Sequence, residues 1–198
     1  MIARRVALLI STVGLAAAMA ACGPTAPSRF YTLGSTATPG APLNNPAPIM
    51  VGSVSVPASV DQPQFVVQVA PNRVDVDEFN RWAAPLTDSI ARAVAGNLAV
   101  QLGTPEVATL QLPNFTPVYF VTIDVQRFDS IRGEAAFDEA VWVVRNNASG
   151  ATRSGHTSAR ETVQSRDFEA LAAAHSRALA TLSGDIAGAI RAEASEKQ

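Results

Sequence analysis

Val118-Tyr119-Phe120-Val121-Thr122-Ile123-Asp124-Val125-Gln126-Arg127-Phe128 is the stretch that decides the fold. Apolar Val121, Ile123 and Val125 alternate with polar Thr122, Asp124 and Gln126, the period of a strand with one face on a core and the other in water. Downstream, Asp129-Ser130-Ile131-Arg132-Gly133 reads as a hairpin connection and Glu134 to Val144 as the partner strand. Asn146-Asn147-Ala148-Ser149-Gly150 has the composition of a turn, so Ala151 to Val163 becomes a third strand of an antiparallel meander. The period then lengthens. Phe168, Leu171, His175, Leu179, Leu182, Ile186 and Ile190 trace one face of a helix from Asp167 to about Ala194, with Asp167 placed to cap it.

Upstream, a second helical stripe runs through Leu86, Ile90, Val94, Leu98 and Leu102, with Ala93 and Asn97 on the same side. Pro85 suits the first turn, where its missing N–H is no loss, and Gly103-Thr104-Pro105 ends the helix. Each large apolar side chain that such a stripe buries contributes about 1.5–3 kcal/mol. Before it come strands at Ile49–Val56 and Gln64–Val69, a short one around Val74 and Val76, and another at Arg29–Leu33. Ser35–Pro48 lacks periodicity and reads as a mobile loop. The order predicts an α/β domain: a single mixed, largely antiparallel sheet with two amphipathic helices packed on it.

The amino end has a different character. Arg4 and Arg5 precede an apolar run from Val6 to Met19, and Ala20-Ala21 lead into Cys22, the only cysteine of the 198 residues. A positive start, a short apolar core and small residues at the end make a secretory signal peptide over 1–21. The run of about 14 residues falls short of the ~20 that a spanning helix needs. Cysteine directly after the small residues is similar to the bacterial lipobox. That likeness implies that Cys22 takes a diacylglycerol thioether and that its new amino group takes an acyl chain such as palmitate. Gly23 rather than Asp follows it, which by the enterobacterial sorting rule implies the outer membrane, with the body facing the periplasm. Residues 22–28 then form a lipid-anchored tether, and 29–198 form one domain.

Composition bounds the function. The chain carries 15 Lys+Arg against 17 Asp+Glu, and loss of Arg4 and Arg5 leaves 13 against 17, a net charge of −4. Without a basic cluster, nucleic acid is not an expected partner. A lone cysteine forms no disulfide and no cysteine-based metal site, and no cofactor motif appears. No catalytic residue is assigned. His175 lies on an apolar helix face and reads as a packed core residue; His156 sits in a polar strand without a Gly-x-Ser-x-Gly elbow. Asp138 and Glu139 are neighbours in a strand and point to opposite faces, so they do not converge as an acid–base pair. Arg81-Trp82 has two readings. Trp82 either covers the start of the first helix or, with Arg81, forms an exposed interface anchor.

Several stretches together resemble a known family. They are Arg29-Phe30-Tyr31-Thr32-Leu33 soon after the lipid cysteine, Val51-Gly52-Ser53-Val54-Ser55-Val56-Pro57 with Asp61-Gln62-Pro63-Gln64, and Asn80-Arg81-Trp82-Ala83-Ala84-Pro85-Leu86 followed by Asn97-Leu98 and Gln101-Leu102. Phe168-Glu169, Ser176, Leu182-Ser183 and Ile186-Ala187 fit the ending. The set resembles the PqiC-type ABC-transport auxiliary lipoproteins. The resemblance implies a non-catalytic periplasmic lipoprotein of an MCE-type lipid transport system. Its partner would be an MCE-domain protein, its membrane the outer one through acylated Cys22, and its assembly a homo-oligomeric ring. Asp61, Gln64, Arg81 and Trp82, with the sheet edge, are the expected partner contacts. The alternative is a stand-alone lipoprotein that binds lipid or another small molecule in its own apolar pocket.

Overall fold

The computed structural model describes residues 26–196, so the signal segment, Cys22 and the first part of the tether lie outside the described residues. Its strands are β1 (Arg29–Tyr31), β2 (Ile49–Ser55), β3 (Gln64–Ala70), β4 (Arg73–Trp82), β5 (Val107–Ala108), β6 (Tyr119–Ile131), β7 (Ala135–Asn146) and β8 (Thr152–Thr162). The helices are α1 (Leu86–Leu102) and α2 (Phe168–Ser195). The predicted meander is β6–β7–β8, antiparallel throughout. Both stripes are buried as predicted, Leu86 to Leu102 in α1 and Phe168 to Ile190 in α2. Gly103, at φ +63°, closes α1 with its N–H on the Ala99 carbonyl, a left-handed conformation that glycine takes without steric cost. Asp167 occupies the N-cap position of α2, but its carboxylate accepts from Ser165 Oγ at 2.5 Å instead of capping the helix N–H groups.

The α/β class holds, but there are two sheets where one was expected. Five strands run in the order β5-β2-β6-β7-β8, and three in the order β1-β4-β3. Alternation reveals which side of a strand is buried; it does not reveal the strand's neighbour. Two causes divide the sheets. The Pro57–Pro63 connection folds back on itself through bonds from Val60 and Asp61 N–H to the Pro57 carbonyl, which releases the chain from the β2 edge. Next, β5, a two-residue strand too short to show a period, pairs in parallel with β2 and occupies that edge. β3 and β4 then pair with each other, and β1 adds to β4 in parallel.

β4 runs much further than its expected core at Val74 and Val76, because a bulge lets both halves pair. Phe65 faces Asp77, while Gln64 faces Arg81. The Asp77 carboxylate holds this bulge by accepting from Phe79 N–H, Asn80 N–H and the Asn80 amide at 2.9–3.0 Å. Burial pushes the Asp77 carboxyl up, but those three bonds and the field of Arg132 outweigh it, so the group sits below the usual carboxylate range.

The stretch read as a mobile loop is irregular but strapped down across both helices. Asn97 Oδ1, fully buried, accepts from Ser35 Oγ, Thr36 N–H and Ala37 N–H at 2.8–3.0 Å. Arg191 of α2 donates to the Ala41 carbonyl, and Leu43 N–H to that of Leu102. On the inner face of the large sheet, Gly155 lies opposite Trp142, and a Cβ there would sit 2.2 Å from the indole Cζ2. Gly155→Ala is therefore expected to cost about 1–3 kcal/mol in urea unfolding, since the ring must shift in a filled core. A loss below 0.5 kcal/mol, the usual surface value, would contradict this packing.

Candidate functional site

The β4 strand delivers Trp82 to the junction between the small sheet and the helices. Its indole is buried, stacked on Phe65 at 4.3 Å between ring centroids and edge-on to Phe128 at 6.0 Å and His175 at 6.3 Å. Its main-chain N–H donates to the Pro63 carbonyl at 2.7 Å. The core reading of Trp82 is the one the geometry supports, and no exposed Arg–Trp anchor exists. One margin of Trp82 nevertheless lines a surface groove of about 380 Å³ with Asp61, Gln62, Pro63, Ala83, Ala84, Pro85 and Leu86. Its walls are largely apolar, with Asp61 exposed at the rim.

The four expected contact residues thus divide into two pairs. Asp61 and Trp82 share the groove. Gln64 and Arg81 are opposite one another on adjacent strands and turn to the other face, since Trp82, the next residue of β4, points inward. Both donate to Glu78 Oε2, at 3.4 and 3.5 Å. An exposed ion pair of this kind contributes 0–1 kcal/mol, so it leaves Arg81 free to change partners.

One catalytic-looking arrangement is present, and it was not foreseen as a unit. The His175 ring lies between Asp138 Oδ1, 2.6 Å from Nδ1, and Ser130 Oγ, 2.9 Å from Nε2. This is the order of a serine nucleophile, a base and an orienting acid. It is sealed: His175 is 0% exposed, Ser130 2% and Asp138 7%, and Phe128 stacks flat on the imidazole at 3.8 Å. No reacting atom of a substrate can lie against Ser130 Oγ, so the trio ties α2 to β6 and β7. A signal for it existed in the sequence, because Asp138 falls on the inward parity of its strand with Ala136 and Ala140. Glu139, as its opposite parity predicts, faces out and meets exposed His156 at 2.8 Å. Among the described residues no three His, Cys, Asp or Glu side chains gather as metal ligands, and no helix is long and apolar enough to cross a membrane.

The second Asp138 oxygen is buried without a hydrogen-bond partner. Burial pushes the Asp138 carboxyl up, and the neighbouring His175 opposes that shift without cancelling it. A raised carboxyl contributes stability that is full below its unfolded value, about 3.9, and is lost as pH rises through the folded value. Accordingly, the melting-temperature gap between the wild type and Asp138→Asn should widen as pH falls from 7 toward 4. A gap that narrows on acidification would contradict this assignment.

Residues 31–187 match the family described as the ABC-type transport auxiliary lipoprotein component. The chain belongs to that family. A crystal structure of a Xanthomonas campestris protein superposes on this auxiliary component with a TM-score of 0.69 at 22% identity, covering 86% of this chain and 100% of that one. A second crystal structure, of an uncharacterized protein, gives 0.69 at 19% identity over 83% of this chain and 99% of that one. At these identities the likeness is one of fold. No curated protein matches the sequence. As a member of this family, the auxiliary component is a transport-associated lipoprotein of the cell envelope.

Proposed function

We propose that this auxiliary component is a non-catalytic docking subunit of an MCE-type ABC lipid transport system. Cys22 anchors it to the outer membrane, and its body binds an MCE-domain protein on the periplasmic side, so that phospholipid moves between the membranes and the envelope keeps its integrity. Family membership supports the association with an ABC transport system. The observation that carries the docking role is the groove beside Trp82. It is apolar and open, with a floor that is the edge of the aromatic core, so it is rigid before any partner arrives. A preformed apolar recess loses little conformational entropy on binding. An apolar side chain or short segment of the MCE partner fills it, and Asp61 sets the polarity of the rim.

Ala84 lies in the groove wall and is half-buried. Ala84→Arg is expected to fill the recess and weaken binding of the purified MCE protein at least tenfold, about 1.4 kcal/mol, while the melting temperature stays within about 2 °C of wild type. Unchanged affinity with intact folding would remove the groove from the docking surface. A ring of copies around the partner is part of the same proposal, read by mass photometry of the complex.

A further inference from the structure

The β3–β4 hairpin presents the reverse of the usual pattern. Phe65 and Val67 are buried on its inner face, and directly opposite them on that face stand Asp77 and Asp75. Val74 and Val76, paired with Gln68 and Val66, turn to the other face, on which Val66 is buried while both β4 valines are open. Val74 is 50% exposed and Val76 44%. Phe79, in the bulge, is 42% exposed, and Phe30 on the neighbouring strand β1 is 63% exposed beside its register partner Arg81. A scattered exposed valine is ordinary, whereas two phenylalanines and two valines on one small sheet are an apolar patch with a use.

We infer that this outer face of the three-stranded sheet rests on the phospholipid surface to which the chain is tethered. The inference relies on the proposed acylation of Cys22. Phe30 follows Cys22 by eight residues, so no more than about 28 Å of extended chain separates the patch from the anchored atom. The patch is therefore the first part of the body to reach the headgroups. Aromatic rings flanked by arginine suit that layer, where the ring enters the acyl boundary and the guanidinium stays with phosphate. Arg81 lies beside Phe30 and Arg73 at the hairpin turn. Alone, four such side chains bind a bilayer weakly. The anchor makes their contact intramolecular, and a weak contact then suffices to orient the body. Asp75 and Asp77, which an anionic surface would repel, are on the opposite face, whereas Glu78 is on this one, paired with Arg81, so that pair presents no net charge beside Phe30.

Orientation has a consequence for docking. The hairpin turn at Ala70–Arg73 and the groove at Trp82 are at opposite ends of β4, ten residues and roughly 30 Å apart. A sheet laid on the membrane by its outer face fixes the direction in which the groove opens.

The test uses the mature lipidated protein in vesicles of phosphatidylethanolamine and phosphatidylglycerol. The chain has one cysteine, whose sulfur is taken by lipid, so Val76→Cys or Phe79→Cys adds a single labelling site for an environment-sensitive fluorophore. Ser154→Cys, exposed on β8, is the control. Spin-labelled phospholipid is expected to quench the probes at 76 and 79 at least about twofold more than the probe at 154. If the protein floats with the vesicles and all three probes are quenched alike, the inference is overturned and the anchor stands. A probe at 79 shielded equally without vesicles overturns it in favour of a second copy on this face. Protein that carries no acyl chain and does not float overturns both the inference and the anchor.

Discussion

Phe65→Ala is expected to destabilise the protein by about 3–5 kcal/mol, a large share of what a domain of this size possesses. Phe65 is fully buried at the start of β3 and joins three elements by its ring. It stacks on Trp82 at 4.3 Å, meets Tyr31 edge-on at 5.8 Å, and meets Phe168 of α2 edge-on at 5.0 Å. Its ring thus connects β3 to β1, to β4 and to the helix layer, with Tyr31 and Phe168 also in contact at 6.1 Å. Removing it takes away the transfer free energy of the ring and leaves a cavity that the rigid neighbours cannot close. Urea unfolding measures the loss, and a value below 1 kcal/mol would mean that the small sheet is held by something else. The same variant should weaken partner binding, because the Trp82 margin that floors the groove rests on this ring. By contrast, Phe79→Ala, at an exposed position in the bulge, should change stability by less than 0.5 kcal/mol.

His175→Ala is the second large effect, also about 3–5 kcal/mol. The loss has three parts. The stack on Phe128 disappears, Ser130 Oγ loses its partner, and the Asp138 carboxyl is left buried with neither oxygen bonded. The last part dominates, since an unpartnered buried carboxylate costs more than the pair contributes. Replacing both members, His175→Leu with Asp138→Val, is accordingly expected to cost less than His175→Ala alone. A double variant that is less stable than the single one would contradict this ordering. Were the trio catalytic instead of structural, the double variant would abolish function in the envelope while keeping the fold; retained function is the expected result.

The legible parts of the chain were those governed by local period. The stripes of α1 and α2, the meander from Tyr119 to Thr162, and the opposite facing of Asp138 and Glu139 all follow from spacing alone. What spacing could not convey was partnership at a distance. The division into two sheets depends on Val107–Ala108 taking the β2 edge, and two residues carry no period. The extension of β4 to Trp82 depends on a carboxylate holding a bulge, which no hydrophobic pattern reports. His175 was read correctly as packed, but its bonds to Ser130 and Asp138 span 45 and 37 residues of sequence. For the four residues expected at a partner contact, spacing did not convey which would share a surface. Trp82 and Asp61 meet at one groove, whereas Gln64 and Arg81, one register pair, turn to the other face because parity in a strand separates neighbours.

Docking of an MCE-domain protein in the groove beside Trp82 is the step on which the proposed role depends. The most direct measurement is affinity capture of the lipidated wild-type protein and of Ala84→Arg from crosslinked native envelopes, with the captured proteins identified by mass spectrometry. An MCE-domain protein is expected with the wild type, and its depletion with Ala84→Arg. Wild-type capture without any MCE-domain protein, from envelopes that contain one, would contradict it.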